Sequence, residues 1–172
     1  IIQTHCTWAG AIDTYYNANY SASTEEMSTS TKMNFDPDGG AAWKGIRRAW
    51  LYIENVDRVP DMSPQEKIQR KGEARMIIAC QYHELLRHFG GVPLIKASVS
   101  TENDGGIDYS RKTYEETARY IIELCDKAAT ELPWTVSAAD DGRFTAASAL
   151  ALKTRILLYL ASPLVNSDSP YM

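Results

Sequence analysis

Two histidines in one short stretch are the first candidates for metal chemistry, because His83 and Glu84 are followed closely by His88. A helical zinc-protease motif needs histidines four residues apart, so that both imidazoles face one metal ion. Here the spacing is five, and at about 100° per residue the two rings diverge by roughly 140° on a helix surface. We therefore expect no metal site, and we interpret both histidines as polar-face or capping residues near a helix C-terminus, where the helix dipole favours them.

Paired carboxylates are the second candidates, because most glycosidases use two of them as acid and base or nucleophile. Three pairs are close in sequence: Glu54 and Asp57, Glu115 and Glu116, and Asp140 and Asp141. Each carboxylate has an ordinary solvated or helix-terminal explanation. The glycine pairs lack the spacing of a phosphate-binding loop, and no nucleophile elbow occurs. We expect no catalytic residue, no cofactor and no enzymatic activity.

The cysteines Cys6, Cys80 and Cys125 are widely spaced and form no CxxC pair. This pattern argues against a disulfide framework and against a zinc site. Two of the three lie on apolar helix faces, where a free cysteine usually serves as a small buried hydrophobic residue. We therefore expect the cysteines to be buried packing residues.

Composition limits the partners that the protein can have. The chain has 172 residues, 44% of them hydrophobic and 23% charged, which is an ordinary balance for one compact domain. Its formal charge of -4 provides no basic surface for nucleic acid or for an anionic membrane. The longest apolar stretch, residues 149–163, contains Lys153 and Arg155 and is shorter than the roughly 20 residues of a membrane span. We expect no nucleic-acid partner and no transmembrane helix.

Four segments have the apolar period of an amphipathic helix, at about 41–57, 63–89, 113–132 and 145–161. The second begins at Ser63 with the pattern of a capping box and ends before Gly90-Gly91, and another capping box begins the third at Thr113. In the first helix Trp43 and Trp50 share a face and are predicted to be core residues. The fourth is apolar around much of its circumference, which predicts a place in the middle of the helix stack.

No segment shows the alternation of a β-strand, so the sequence predicts an all-α fold of stacked antiparallel helix pairs with long irregular loops. Small residues such as Gly72 are expected where helices approach closely. Residues 1–40 differ, because their aromatic side chains are scattered among amides, hydroxyls and a Ser/Thr-rich run. Such a composition indicates a surface rather than a core.

The order of motifs from about residue 41 to 165 resembles the SusD/RagB family of surface lipoproteins. The first motif is Trp43–Ala49 followed by Glu54-Asn55, although Trp50 stands where the family commonly has Asn. The most distinctive stretch is Lys71–Arg75 followed by Tyr82, Leu85 and Phe89–Leu94. Further matches follow in the family's order: Arg111–Thr113, Glu116, Ala128, Leu132-Pro133, Gly142–Thr145, Ala149, Lys153 and Leu157–Tyr159.

The resemblance implies a TPR-like α-α superhelix that forms part of a larger protein. It also implies a non-catalytic component of an outer-membrane nutrient-uptake system, which captures oligosaccharides or polysaccharides for a SusC-like, TonB-dependent transporter. Localisation is then the cell outer membrane, as a surface-exposed lipoprotein. The chain opens on Ile1 and shows neither a signal peptide nor a lipidation site. The resemblance therefore implies membrane association only through an N-terminal lipid anchor that is missing from the chain.

Family motifs do not assign the glycan-binding residues. Sugar rings stack on aromatic side chains while amides and carboxylates bond their hydroxyls. We therefore interpret residues 1–40 as an irregular segment that packs on the helical scaffold of residues 41–172 and holds the ligand. The candidate glycan contacts are Trp8, Tyr16, Asn34, Phe35 and Asp36. Core packing or plain exposure is the alternative for each residue, and a helical protein-protein scaffold without carbohydrate binding is the alternative for the whole.

Overall fold

The structure is a computed structural model that describes residues 41–98 and 108–166. Within these ranges the chain is helical and has no β-strand. The α-helices are α1 (Ala41–Asn55), α2 (Pro64–Phe89), α3 (Tyr114–Glu131), α4 (Ala146–Leu160) and the short α5 (Pro163–Asn166). Short 3-10 helices follow α1 at Val56–Arg58 and precede α4 at Ala138–Asp140. The all-α prediction is confirmed, and the first predicted helix is shorter than expected because the 3-10 turn replaces its last residues.

The chain divides into two compact units, Ile1–Lys44 and Gly45–Met172. Only residues 41–44 of the first unit, which begin α1, are among the described residues. All five candidate glycan contacts and Cys6 lie outside them. The division into a ligand-holding segment and a helical scaffold therefore stays a prediction.

Local signals in the sequence fix where the long helices begin. At the start of α2 the Ser63 hydroxyl accepts a hydrogen bond from the Glu66 amide at 3.2 Å, and the Glu66 carboxylate accepts one from the Ser63 amide at 3.3 Å. Thr113 and Glu116 make the same reciprocal pair at the start of α3. These bonds satisfy amides that have no partner within the helix, so both predicted capping boxes are confirmed.

Helices α2 and α3 are antiparallel and lie very close at one end. A Cβ atom at Gly72, near the start of α2, would lie 3.0 Å from the Glu131 Cβ and 3.0 Å from the Leu132 Cγ, at the end of α3. The predicted role of Gly72 as a close-approach residue is confirmed. Helix α4 then packs on α3 around one apolar cluster. Its buried members are Met76, Ala128, Leu132, Ala146 and Ala149, with Phe144 and Leu152 packed against them.

Two glycines and an arginine form the connection that leaves α2. Gly90 has φ of 70°, which a side chain would strain. A Cβ atom on Gly91 would lie only 1.8 Å from the Lys112 carbonyl oxygen. Arg111 donates from Nε to the Gly91 carbonyl at 2.7 Å and from Nη2 to the Phe89 carbonyl. The arginine thereby ties the end of α2 to the chain entering α3.

The predicted central position of the fourth helix is wrong for the described part of the chain. Helix α4 packs on α3 along one side, while Leu150, Leu157 and Leu158 on another side are exposed, as is Leu164 in α5. The apolar circumference was read correctly from the sequence. No described helix packs on that outer side.

Two other burial predictions need correction. Trp43 and Trp50 are half-buried rather than core residues. His83 was expected on a polar face, yet it is buried, and its ring stacks on Tyr159 of α4 at a centroid distance of 5.8 Å. The reason is that α4 approaches α2 at this point, which the period of α2 alone does not reveal.

Candidate functional site

The segment that follows α2 joins three helices through its backbone. The Ile95 carbonyl accepts hydrogen bonds from Trp50 Nε1 of α1 at 3.0 Å and from the Tyr120 hydroxyl of α3 at 3.2 Å. The Tyr82 hydroxyl of α2 accepts from the Ile95 amide at 2.7 Å and donates to the Pro93 carbonyl at 3.2 Å. We call these three side chains with residues 93–95 the backbone brace. It sets the positions of α1, α2 and α3 without regular secondary structure.

The two tyrosines of the backbone brace are also in ring contact. Tyr82 and Tyr120 lie edge to face with centroids 5.1 Å apart, and Lys96 Nζ lies 5.4 Å from the Tyr120 ring centroid. Burial raises the pKa of both phenols well above their usual range. Both hydroxyls therefore stay protonated and act as structural donors.

The histidines of α2 do not converge on a metal but contact one carboxylate. His83 Nδ1 lies 3.4 Å from Glu84 Oε1, and His88 Nε2 lies 3.7 Å from Glu84 Oε2. Arg87 Nη1 also lies 3.1 Å from Glu84 Oε1. Together these contacts hold the pKa of the Glu84 carboxyl well below its usual range. Among the described residues, no group of three or more His, Cys, Asp or Glu side chains is placed to hold a metal ion. Glu84 is thus an ionised carboxylate that pairs with three side chains near the end of α2.

The carboxylates of the three pairs named in the sequence analysis contact different neighbouring groups. Glu54 accepts from the Ser98 amide at 2.8 Å, and Asp57 pairs with Lys71 at 2.7 Å. Glu115 pairs with Arg119 at 2.6 Å, whereas Glu116 caps α3. Asp140 lies 4.0 Å from Arg143 and accepts from the Ser137 hydroxyl at 2.9 Å. Each contact holds a helix end or a connection, as the ordinary explanations anticipated.

The two cysteines of the described residues are free thiols in apolar surroundings. Burial raises the pKa of Cys80 to about 11 and that of Cys125 to about 12. Both thiols therefore stay protonated and unreactive at neutral pH. The expected packing role is confirmed for Cys125, which is fully buried, and in part for Cys80, which is half-buried.

A groove of about 460 Å³ runs between α1 and α2, and we call it the α1–α2 groove. Its floor consists of small or apolar residues, and its rim carries an aromatic ring and charged side chains. The lining residues are Gly45, Arg48, Ala49, Tyr52, Arg70, Glu73, Ala74 and Ile77. At one end Glu73 accepts two hydrogen bonds from Arg143, at 2.9 Å and 2.6 Å, and its carboxylate also binds Arg70 Nη1 at 3.0 Å.

A second depression of about 460 Å³ lies between residues 94–96, residues 108–112 and α3. Its walls alternate in charge and already carry ion pairs, between Lys112 and Asp108 and between Arg119 and Glu115. Its aromatic residue, Tyr120, is buried and already engaged in the backbone brace. The α1–α2 groove is therefore the better candidate for binding, because its aromatic ring is exposed.

Sequence reasoning did not single out the α1–α2 groove. Arg48 and Tyr52 are one turn apart on α1, and Arg70 and Glu73 are one turn apart on α2. Each pair looks like an ordinary solvated helix face in the sequence. Their convergence depends on how α1 packs on α2. A signal available in advance was the small residues Gly45, Ala49 and Ala74 beside them, which leave space between the two helices.

The sequence model of a SusD-like family, described as "Starch-binding associating with outer membrane", matches residues 4–158. The chain belongs to the SusD-like family. SusD-like proteins are non-catalytic carbohydrate-binding proteins, which supports the expectation that the chain is not an enzyme. The sequence has no significant match among curated proteins.

Solved SusD-like structures share the fold. A SusD-like protein from Bacteroides fragilis is 28% identical with a TM-score of 0.58, over 72% of this chain and 24% of that one. A SusD homolog from Bacteroides thetaiotaomicron is 24% identical with a TM-score of 0.64, over 89% and 29%. A "Laminarin binding SusD-like protein" is 22% identical with a TM-score of 0.68, over 85% and 34%. The predicted TPR-like helical arrangement is confirmed, and the chain spans about a quarter to a third of these relatives.

The description of the SusD-like family includes association with the outer membrane. In the described part of this chain, none of the helices is long and apolar enough to cross a bilayer.

Proposed function

We propose that the protein is a non-catalytic, glycan-binding component of an outer-membrane nutrient-uptake system. The observation that carries this proposal is the family match over residues 4–158, which includes residues 4–40 of the aromatic and amide-rich segment as well as the helices. One structural relative is described as laminarin-binding, and another as a surface glycan-binding protein from Bacteroides uniformis. The ligand of this protein is accordingly an oligosaccharide or polysaccharide.

The proposed ligand surface is the segment before α1, with Trp8, Tyr16, Asn34, Phe35 and Asp36 as the contacting residues. An aromatic ring offers a flat apolar face to the C–H face of a sugar, and an amide or carboxylate bonds its hydroxyls. The family match supports this proposal because it extends through all five of these residues and on into the helices.

Titration calorimetry of the complete polypeptide against laminarin and starch oligosaccharides tests the binding function. We expect binding of at least one glycan, and a loss of about tenfold in affinity for Trp8→Ala or Phe35→Ala, since a stacked ring contributes about 1 kcal/mol or more. The matched control is Trp134→Ala, because Trp134 is 67% exposed in the connection between α3 and α4. Equal losses in all three variants would contradict the assignment of the site.

We also propose that the captured glycan passes to a SusC-like, TonB-dependent transporter, and that a lipid anchor holds the protein at the cell outer membrane. Support comes from the family description, which names outer-membrane association. Affinity purification from solubilised outer membranes should recover such a transporter. Recovery of the transporter together with failure of every oligosaccharide would favour the protein-protein scaffold, and hydrolysis of a bound glycan would contradict a purely binding role.

A further inference from the structure

The α1–α2 groove has the size and the lining of a small ligand site. Its volume of about 460 Å³ lies within the range of about 300 to 1,000 Å³ that is usual for ligand pockets. The floor of the groove is open because the residues there are small, namely Gly45, Ala49 and Ala74, and Ile77 adds an apolar surface. Tyr52 is 39% exposed at the rim, so that part of its ring is open to a ligand. This combination provides a flat aromatic surface beside an apolar floor.

The charged side chains of the groove differ in how many hydrogen-bond and ion-pair partners they have. Glu73 is neutralised by Arg143, whose guanidinium bonds both carboxylate oxygens, and it also receives Arg70 Nη1. Arg70 hydrogen-bonds through that nitrogen alone within the described residues. Arg48 is exposed and has no hydrogen-bond or ion-pair partner in the described part of the chain. Three guanidiniums, of Arg48, Arg70 and Arg143, thus stand against two carboxylates, Glu73 and the Asp140 that lies 4.0 Å from Arg143. The local charge is +1 in a protein whose formal charge is -4.

We infer that the α1–α2 groove binds an acidic sugar unit, a uronate, of the glycan that the protein captures. The apolar face of the pyranose ring lies on Tyr52, and the carboxylate of the uronate pairs with Arg48, one helical turn away on the same face. The free N–H groups of Arg70 bond the ring hydroxyls. A carboxylate suits this site because its two oxygens match the fork of a guanidinium. This inference rests on the proposed glycan-binding function and adds a second contact surface, separate from residues 1–40.

Titration calorimetry of the complete polypeptide with oligogalacturonate tests the inference, with a laminarin oligosaccharide as the neutral probe. We expect Arg48→Gln to weaken oligogalacturonate binding about tenfold or more, because a charge-assisted hydrogen bond is lost. Tyr52→Ala should weaken it about threefold to tenfold. Affinity for the neutral probe should stay within twofold in both variants, and added salt should weaken only the acidic ligand. Both side chains are exposed, and unchanged thermal unfolding establishes that the variants are folded.

The matched controls are Arg155→Gln and Trp134→Ala, which change an exposed arginine on α4 and an exposed aromatic residue away from the groove. Losses in these controls as large as in the groove variants would overturn the inference, as would failure of oligogalacturonate to bind while the neutral probe binds. A sulfated oligosaccharide that binds as tightly and loses as much with Arg48→Gln would overturn the assignment of a carboxylate. Failure of every glycan would contradict the proposed function as well.

Discussion

Replacing Tyr82 by Phe removes one oxygen atom from the centre of the backbone brace and leaves the packed ring in place. The Tyr82 side chain is fully buried, and its hydroxyl makes two hydrogen bonds to the segment after α2. The Ile95 amide, 2.7 Å from that hydroxyl, lies in a buried residue and would be left without this acceptor. A buried donor left unsatisfied costs about 1–3 kcal/mol, and the lost bond to Pro93 adds about 0.5–1.5 kcal/mol. We expect Tyr82→Phe to lower the free energy of unfolding by about 2–4 kcal/mol.

Tyr120→Phe is the matched control, because it also removes a single buried hydroxyl and keeps the edge-to-face ring contact. The Ile95 carbonyl that loses this donor retains the hydrogen bond from Trp50 Nε1 at 3.0 Å. No backbone group of Ile95 is then left unpaired, so the expected loss is only about 0.5–1.5 kcal/mol.

Urea unfolding followed in parallel by circular dichroism and tryptophan fluorescence measures both values and tests whether the transition is two-state. Tyr82→Phe should therefore be the more destabilising variant by at least about 0.5 kcal/mol. Equal losses, or a larger loss for Tyr120→Phe, would refute the role of the Ile95 amide.

Three further sets of changes test other contacts. Gly91→Ala should destabilise the fold severely, because its Cβ would lie 1.8 Å from the Lys112 carbonyl oxygen. Gly45 lies within α1, and a Cβ atom there would make only ordinary van der Waals contacts, so Gly45→Ala should raise the free energy of unfolding by up to about 1 kcal/mol. Similar melting temperatures for these two glycine variants would contradict this. Thr113→Ala should lower the free energy of unfolding in urea by about 1 kcal/mol, and no change would show that the capping box is unimportant. The folded-state pKa of Glu84 lies below its ordinary value of 4.5, so its carboxylate stabilises the native state above that pH and progressively less as the pH falls through the folded-state pKa. Glu84→Gln should therefore lose stability less steeply on acidification, and an equally steep loss in equilibrium unfolding would count against this pairing.

The helices could be read from the sequence because their signals are local. Each capping box needs only residues three positions apart, and the end of α2 is set by glycines that directly follow it. Family membership followed from the order of short motifs along the chain, and the match over residues 4–158 agrees with it. Gly72 was identified as a close-approach residue for the same reason, since only its own small size is needed.

The contacts between helices could not be read in this way. His83 occupies a position that looks polar along α2, and its burial depends on Tyr159 of α4. The ion pair between Arg75 and Glu131, at 2.5 Å, joins α2 to α3 across 56 residues of sequence. Hydrophobic periodicity shows that a helix has an inner face, but it does not specify which helix covers that face or at what height.

The same distinction between local signals and contacts between helices applies to the residues that could carry chemistry. The sequence alone determined that His83 and His88 are not placed to share one tetrahedral metal site, because five-residue spacing on a helix turns two side chains apart. Only the tertiary structure decided that Arg48, Tyr52, Arg70 and Glu73 share a groove, and that Ile95 joins three helices. Spacing along one helix is a property of the local backbone, whereas a groove between helices exists only after their small residues have packed and left room for it.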